Sequence, residues 1–369
     1  MPVSLGQALA WRLDRQFLVT GEACAADVVR RLGGIPTWSG DADLAVRRRL
    51  SDPAPDAVAR AVADGDLVRT YAFRGATYLL AADDAGAYLA VRAASRQWEL
   101  RSWREHYRLE ASDWPALRAA VREALADGPL TRPELADAVA AHARFSHLRE
   151  ALADRSHTLN KPLAWQGDLV IGPSQDGQMT YQSPTASPRW QAPPDLADAG
   201  RYAVLAYLAG YGPATRANLH HWLVEGLSAG QRRLEGWLMG LLDDGAVVGV
   251  EVDGEPMLVR AADRDSLAAQ PETAAVTLLP GLDAWVLGPG TDDARVVPPL
   301  RRAAVTRGAA LVLRSGVVVG AWKVAGGTLA VSWFREAGVP PVRALEAEGH
   351  RLAGLLGREL DVTVSAAKG

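Results

Sequence analysis

Between Gly33 and Leu50 the chain gathers the side chains best suited to hydrolytic chemistry. The run Gly33-Gly34-Ile35-Pro36-Thr37-Trp38-Ser39-Gly40-Asp41-Ala42-Asp43 carries two hydroxyls, two carboxylates and one large aromatic. Pro36 and Gly40 make it a loop, and the segment that follows reads as a helix from Asp43 to Leu50. Thr37, Asp41 and Asp43 are the candidates for catalysis. Hydrolysis needs a water held by an acceptor and a group that balances positive charge developing on the substrate, and hydroxyls and carboxylates supply both. The same residues also suit a plain turn, in which Asp41 or Ser39 caps the next helix and Trp38 packs on the core.

Other chemistries lack their residues. Gly326-Gly327 precedes no helix, so there is no phosphate loop, and neither Gly-x-Ser-x-Gly nor His-Glu-x-x-His occurs. Of the seven histidines, His220 and His221 are adjacent and point to different faces of a helix, while His142 and His147 have the wrong helical spacing for one ligand face. No metal and no cofactor are expected. The single cysteine, Cys24, excludes an internal disulfide and reads as a small core residue.

The elements around these residues repeat. Three times the chain runs through helices, a Gly-containing turn and an apolar hairpin. The hairpins join Asp66–Tyr71 to Thr77–Leu80, Asp168–Ile171 to Met179–Tyr181, and Val247–Val250 to Met257–Val259. In the later copies, Thr131 of Gly128-Pro129-Leu130-Thr131-Arg132 and Thr215 of Tyr211-Gly212-Pro213-Ala214-Thr215 stand where they can cap the following helix. Helices closed by a β-hairpin read as winged helix-turn-helix units, whose usual partner is duplex DNA. Residues 84–114, with Trp98, Trp103, Tyr107 and Trp114, form a helical connector in which the aromatics serve core packing. Phe145 to Leu159 reads as the recognition helix of the second unit, and Gln182 to Pro194 as a linker. Beyond Pro271 the texture changes to short strands, among them Ala284–Leu287, with a last helix over Pro341–Leu356. The expected class is α+β: three tandem winged helix-turn-helix units followed by a small C-terminal β-barrel or open sheet. The boundaries fall at 1–114, 115–190, 195–265 and 270–369.

With 369 residues, 49% of them hydrophobic, the chain can bury several cores. It has no apolar run long enough to span a bilayer and no secretory n-region, which points to a cytoplasmic protein with no membrane partner. Only Lys161, Lys323 and Lys368 are lysines among 40 basic residues, a bias that GC-rich coding produces without function. Net charge is −3, so any attraction to phosphate must be local. Arg30, Arg31, Arg47, Arg48 and Arg49 crowd the first unit and are expected to form such a basic face. Further candidates for phosphate contacts are Arg74, Arg132, Arg155, His157, Lys161 and Arg216, with Trp38 able to stack on or wedge beside a base.

Several segments carry a family resemblance. Trp11-Arg12-Leu13-Asp14-Arg15-Gln16, Thr70-Tyr71-Ala72-Phe73-Arg74-Gly75-Ala76-Thr77-Tyr78-Leu79, the two later helix starts, Leu278-Leu279-Pro280-Gly281-Leu282-Asp283-Ala284-Trp285-Val286-Leu287-Gly288 and Val319-Gly320-Ala321-Trp322 resemble motifs of the AlkZ-like winged-helix family (helix-turn-helix type 42). The resemblance covers residues 5–357. It implies a DNA glycosylase, built as a monomer, that excises bulky N7-alkylated purines from double-stranded DNA. Some members unhook interstrand crosslinks, and several protect producers of DNA-alkylating natural products from their own product. Such a lesion is already cationic and leaves as a neutral base, so no strong acid is required.

The sequence departs from the family pattern at one place. The family carries Gln-apolar-Gln or Gln-apolar-Asp after a Gly in the first unit. Here those positions fall on Ile35 and Thr37 in one register and on Pro36 and Trp38 in the other, and the hairpin His is replaced by Tyr78. Either Thr37, Asp41 or Asp43 positions the water, or the protein binds DNA without excision, as a regulator or a lesion-sequestering factor. Three winged helices in one chain fit an ordinary repressor poorly, since repressors pair two half-site readers by dimerising. A nuclease would need a carboxylate-rich metal cluster.

Overall fold

The computed structural model describes residues 3–38 and 41–367. Ser39, the alternative cap of the loop, and Gly40 lie outside the described residues. The chain forms two compact units that are each discontinuous in sequence. One comprises Met1–Arg60, Val204–Trp222 and Leu238–Gly369; the other comprises Ala61–Ala203 and Leu223–Trp237.

In the first unit, helix Leu5–Arg15 begins in a capping box between Ser4 and Gln7, and its Trp-Arg-Leu face is buried. The motif in this helix is a set of anchors. Trp11 Nε1 donates to Ser266 Oγ (3.1 Å), Arg12 Nη2 to Pro213 O (3.0 Å) and Gln16 Nε2 to Gly210 O (2.9 Å). Helix Arg216–Leu219 is capped by Thr215, as its sequence predicts, and Ala214 just ahead of that cap bridges to Leu258 of hairpin Val247–Val252/Glu255–Arg260.

The C-terminal strands form one sheet in the order Asp361–Ala366, Thr328–Trp333, Val317–Ala325, Ala310–Arg314, Val276–Leu279. Only the pair formed by Thr328–Trp333 and Asp361–Ala366 is parallel. Its two end strands do not pair with each other, so among the described residues the sheet is open and no closed barrel is found. Gly320 sits where a Cβ would lie 2.8 Å from Ser332 O, so a side chain there would push the strands apart. Helix Val342–Leu356 packs on this sheet through Leu345, Leu352 and Leu355. Ala284–Leu287, expected as a strand, is one turn of helix. The Asp283 carboxylate accepts from Trp285 N (2.8 Å), and that local cap outweighs the β-propensity of Trp and Val.

In the second unit the first two hairpins share one sheet. Its strands run in the order Thr77–Ala81, Leu67–Tyr71, Val170–Ile171, Thr180–Gln182, Leu130–Thr131, joined through Arg69 opposite Ile171. A core that includes Trp98, Trp114, Phe145, Leu163, Trp165 and Tyr181 packs on it, so the connector aromatics Trp98 and Trp114 are core residues. The segment Phe145–Leu159 is not one helix. A 3₁₀ turn Ala143–Leu148 leads into helix Arg149–Ala153, and a second helix, Asn160–Trp165, begins only after an irregular stretch. Asp154 accepts from Ser156 N (2.9 Å) and from its hydroxyl, a local turn that competes with the helix. Cys24 is half-buried ahead of helix Ala25–Leu32, at its N-cap, and so lies at the edge of the core.

Candidate excision site and nucleic-acid interface

The loop with the candidate catalytic residues belongs to the first unit. Helix Ala25–Leu32 ends on Gly33 and Gly34, at φ 68° and 115°, a turn that residues with a Cβ rarely make. Tyr211 Oη donates to Leu32 O (2.7 Å) and fixes that end. Ile35 and Pro36 continue as buried, extended chain. Thr37 follows, half-buried, with its Oγ1 closed to solvent and without a partner among the described residues. Trp38 is 52% exposed, so the core reading of its indole does not hold.

The two carboxylates are engaged. Asp41 is the N-cap of helix Ala42–Arg47, with Oδ1 accepting from Leu44 N (2.9 Å). Asp43 Oδ2 accepts from Arg47 Nη1 (3.0 Å). Of the two possible registers for the missing amides, one places the buried hydrocarbon of Ile35 beside Thr37 and the other places Pro36 beside Trp38. Thr37 carries the buried side-chain oxygen of this set that has no hydrogen-bond partner among the described residues, while Asp41 and Asp43 each have one carboxylate oxygen engaged.

The arginines after this loop do not form a basic face. Arg47 Nη2 donates to Leu355 O (2.8 Å), Arg48 pairs with Glu348 (2.8 Å) and Arg49 makes two bonds to Asp283 (2.9 and 2.7 Å). Arg49 and Asp283 are fully buried. Arg31 donates to Ala209 O (3.0 Å), and burial followed by the neighbouring Arg15 lowers its pKa to about 10. Arg30 pairs with Asp27. These side chains hold the loop's supporting helices against the rest of the unit. Arg216, also in this unit, is exposed in the first turn of its helix.

The second unit holds the other cationic candidates. Arg74 occupies the tight tip of the first hairpin at φ 52° and approaches Glu225 (3.4 Å) with both side chains largely exposed, a pair of little energetic weight. Arg155 is exposed. Arg132, His157 and Lys161 are half-buried and come together. Burial, then Arg132 and Lys161, hold the His157 pKa below the ordinary value, with Asp154 opposing them. Lys161 is likewise lowered by burial and then Arg92, and its Nζ lies 5.9 Å from the centre of the Tyr71 ring.

Sequence reasoning missed Tyr71, Tyr181 and Arg92. His157 Nδ1 bonds Tyr181 Oη (2.7 Å), which bonds Tyr71 Oη (3.2 Å). Arg92 stacks on Trp165 at 3.7 Å. A usable signal existed for the tyrosines: both stand on strands of a buried sheet, and a buried phenol needs a hydrogen-bond partner.

The first unit offers a buried hydroxyl and two carboxylates at a helix start, and the second offers half-buried cations; these are side-chain types that a DNA-acting hydrolase of the glycosylase class uses. The comparisons give the same class. The model of the family described as "DNA glycosylase AlkZ-like" matches residues 29–355. A curated relative, the "Interstrand DNA cross-link repair glycosylase" of Streptomyces sahachiroi, is 34% identical over 362 residues, 96% of each chain. The solved structure of Streptomyces sahachiroi DNA glycosylase AlkZ matches with a TM-score of 0.91 and 34% identity, covering 99% of this chain and 100% of that one. The chain belongs to the AlkZ-like DNA glycosylase family.

Proposed function

We propose that this glycosylase excises bulky N7-alkylguanine adducts from double-stranded DNA, as self-protection against a DNA-alkylating natural product, and that Thr37 orients the attacking water. What supports this reading most directly is the Thr37 hydroxyl, closed to solvent and without a partner among the described residues, in the loop where the family carries its amides. The relative's cross-link repair activity fits the same class of lesion.

In the reaction, the C1′–N9 bond breaks and its electron pair passes to the base. The alkylpurinium thereby becomes neutral and needs no strong general acid. Water adds to C1′, and its lost proton goes to solvent or to the Asp41 carboxylate. Thr37 fixes the water's direction, and the carboxylates of Asp41 and Asp43 oppose the positive charge that grows on the sugar.

Single-turnover incubation with duplex carrying one N7-alkylguanine adduct, followed by alkaline cleavage, tests this. Scission at the modified guanine is expected from the wild type. Thr37→Ala should slow it by about 10²-fold, near the lower end for loss of an oriented polar group, and Thr37→Ser should recover most of the rate. Asp41→Ser keeps a capping side chain and removes the charge, which separates the helix cap from charge stabilisation. Base release that is unchanged in Thr37→Ala would remove Thr37 from the reaction. Retained binding without base release in the wild type would make the chain a lesion-binding protein.

A further inference from the structure

Resting on the reading that duplex DNA is the substrate, we propose that Arg132, His157 and Lys161 form one phosphodiester-binding site. In it, His157 donates a hydrogen bond from Nε2 as a neutral imidazole whose tautomer is set by the relay Tyr71–Tyr181–His157.

The relay has a direction. Each hydroxyl owns one hydrogen. If Tyr71 donates to Tyr181, then Tyr181 donates to Nδ1, and the imidazole proton sits on Nε2. In the reverse direction Nδ1–H would donate to Tyr181 and Tyr181 to Tyr71. The Tyr71 hydrogen would then need an acceptor, and none is present for this buried phenol among the described residues. The first arrangement uses both hydroxyl hydrogens and Nδ1. The backbone reinforces it: His157 stands at φ 55°, outside the helix that follows, where its ring reaches Tyr181. A non-Gly residue held in that conformation near a cluster of charges is a common mark of a functional position.

The surroundings call for an anion. Arg132 and Lys161 are partly buried and make no ion pair among the described residues, and Arg132 Nε is closed off without a partner. Elsewhere in this unit half-buried Arg118 has a carboxylate, that of Asp168, whereas buried Arg92 is held by Ser95 and Gln97. The carboxylate near the cluster, exposed Asp154, accepts from Ser156 and acts on Arg132 and His157 only through space. Gly75 of the hairpin tip, at φ 72°, lies against Lys161 and Trp165, where a Cβ would be 3.6 Å from each. Two unpaired cations around an imidazole N–H supply the donor set that phosphodiesters take from proteins.

Counterion release makes the site testable. A cation that contacts a phosphate displaces counterions, so removing it lowers the slope of log affinity against log salt by about 1. A neutral donor contributes a hydrogen bond and displaces none. Binding of the full chain to a short undamaged duplex, measured by fluorescence anisotropy over a salt series at pH 7.5, should separate them. Lys161→Ala and Arg132→Ala should each reduce the slope by about 1. His157→Ala should weaken binding by about tenfold with the slope unchanged. Tyr181→Phe should weaken binding similarly, and long-range ¹⁵N spectra of the histidines should show its His157 losing the pure Nε2–H signature seen in the wild type. His157→Gln, which keeps a donor, should recover part of the affinity and guards against a folding defect.

A slope that falls with His157→Ala would mean an imidazolium contact and overturn the neutral-donor assignment. An Nδ1–H signature in the wild type would overturn the relay. Unchanged affinity in all these variants would make the cluster structural. Shifts of the His157 ring with inorganic phosphate as strong as those with duplex would make it a free-anion site. Because the duplex is undamaged, these results stand apart from excision: loss of base release with the slopes as expected would fail the proposed reaction and leave the phosphate site intact.

Discussion

Thr37 and His157 share a physical condition: each is a polar side chain held partly out of water with one hydrogen-bonding position unused. Such positions are costly to maintain unless a ligand or water completes them. For His157 the cost has a pH signature. Its folded pKa lies below the ordinary 6.5, because burial, Arg132 and Lys161 disfavour the imidazolium more than Asp154 favours it. Between the folded value and 6.5 the unfolded chain binds more protons, so stability rises with pH. The contribution is fully present above 6.5 and is lost as pH falls through the folded value. On acidification below pH 6.5 the wild-type melting temperature should therefore fall more steeply than that of His157→Gln. Parallel thermal melts of the two proteins across this range would show it, and parallel curves would mean that His157 titrates as it does in the unfolded chain.

At the scale of elements, the loop depends on a short helix that could not persist alone. Ala42–Arg47 is too short for intrinsic stability and is held by its Asp41 cap, by Leu44 in the C-terminal core and by the arginines that follow it. The bidentate bond from Arg49 to Asp283 is the deepest of these, and Asp283 also caps helix Ala284–Leu287. Asp283→Ala would leave a fully buried guanidinium without its carboxylate and remove that cap. The expected loss is about 3–5 kcal/mol, measured from chemical denaturation midpoints. A loss below about 1 kcal/mol would show that Arg49 finds water or another acceptor.

Across the whole molecule, the segment after Ala269 belongs to the same compact unit as the N-terminal helices. Arg48 and Arg49 reach it through Glu348 and Asp283, and Leu44 packs among its strands. Truncation after Ala269 removes all three partners. The shortened chain should lose cooperative melting, which calorimetry would register, and a sharp transition would show that the C-terminal segment folds separately. No helix among the described residues is long and apolar enough to cross a membrane.

Much of this was legible in the residues. The three hairpins, the Thr215 cap and the Asp41 cap follow from turn chemistry and from side chains that bond their own backbone within a few positions. The family motifs were legible as well, because Trp11, Arg12 and Asp283 are held by geometry that few other residues satisfy. Thr37 was readable as a candidate from its place in a Gly- and Pro-bounded loop. What tertiary structure alone decided are the outcomes that depend on partners far along the chain. Arg47, Arg48 and Arg49 look like a phosphate-facing patch until Leu355, Glu348 and Asp283 are brought to them, and the C-terminal strands could close or stay open until their pairing was set. His157 gained its meaning only when two hairpins joined one sheet and put Tyr71 beside Tyr181. A local pattern fixes what a side chain can do; which partner it meets depends on contacts more than a hundred residues apart, and those are made only by the folded chain.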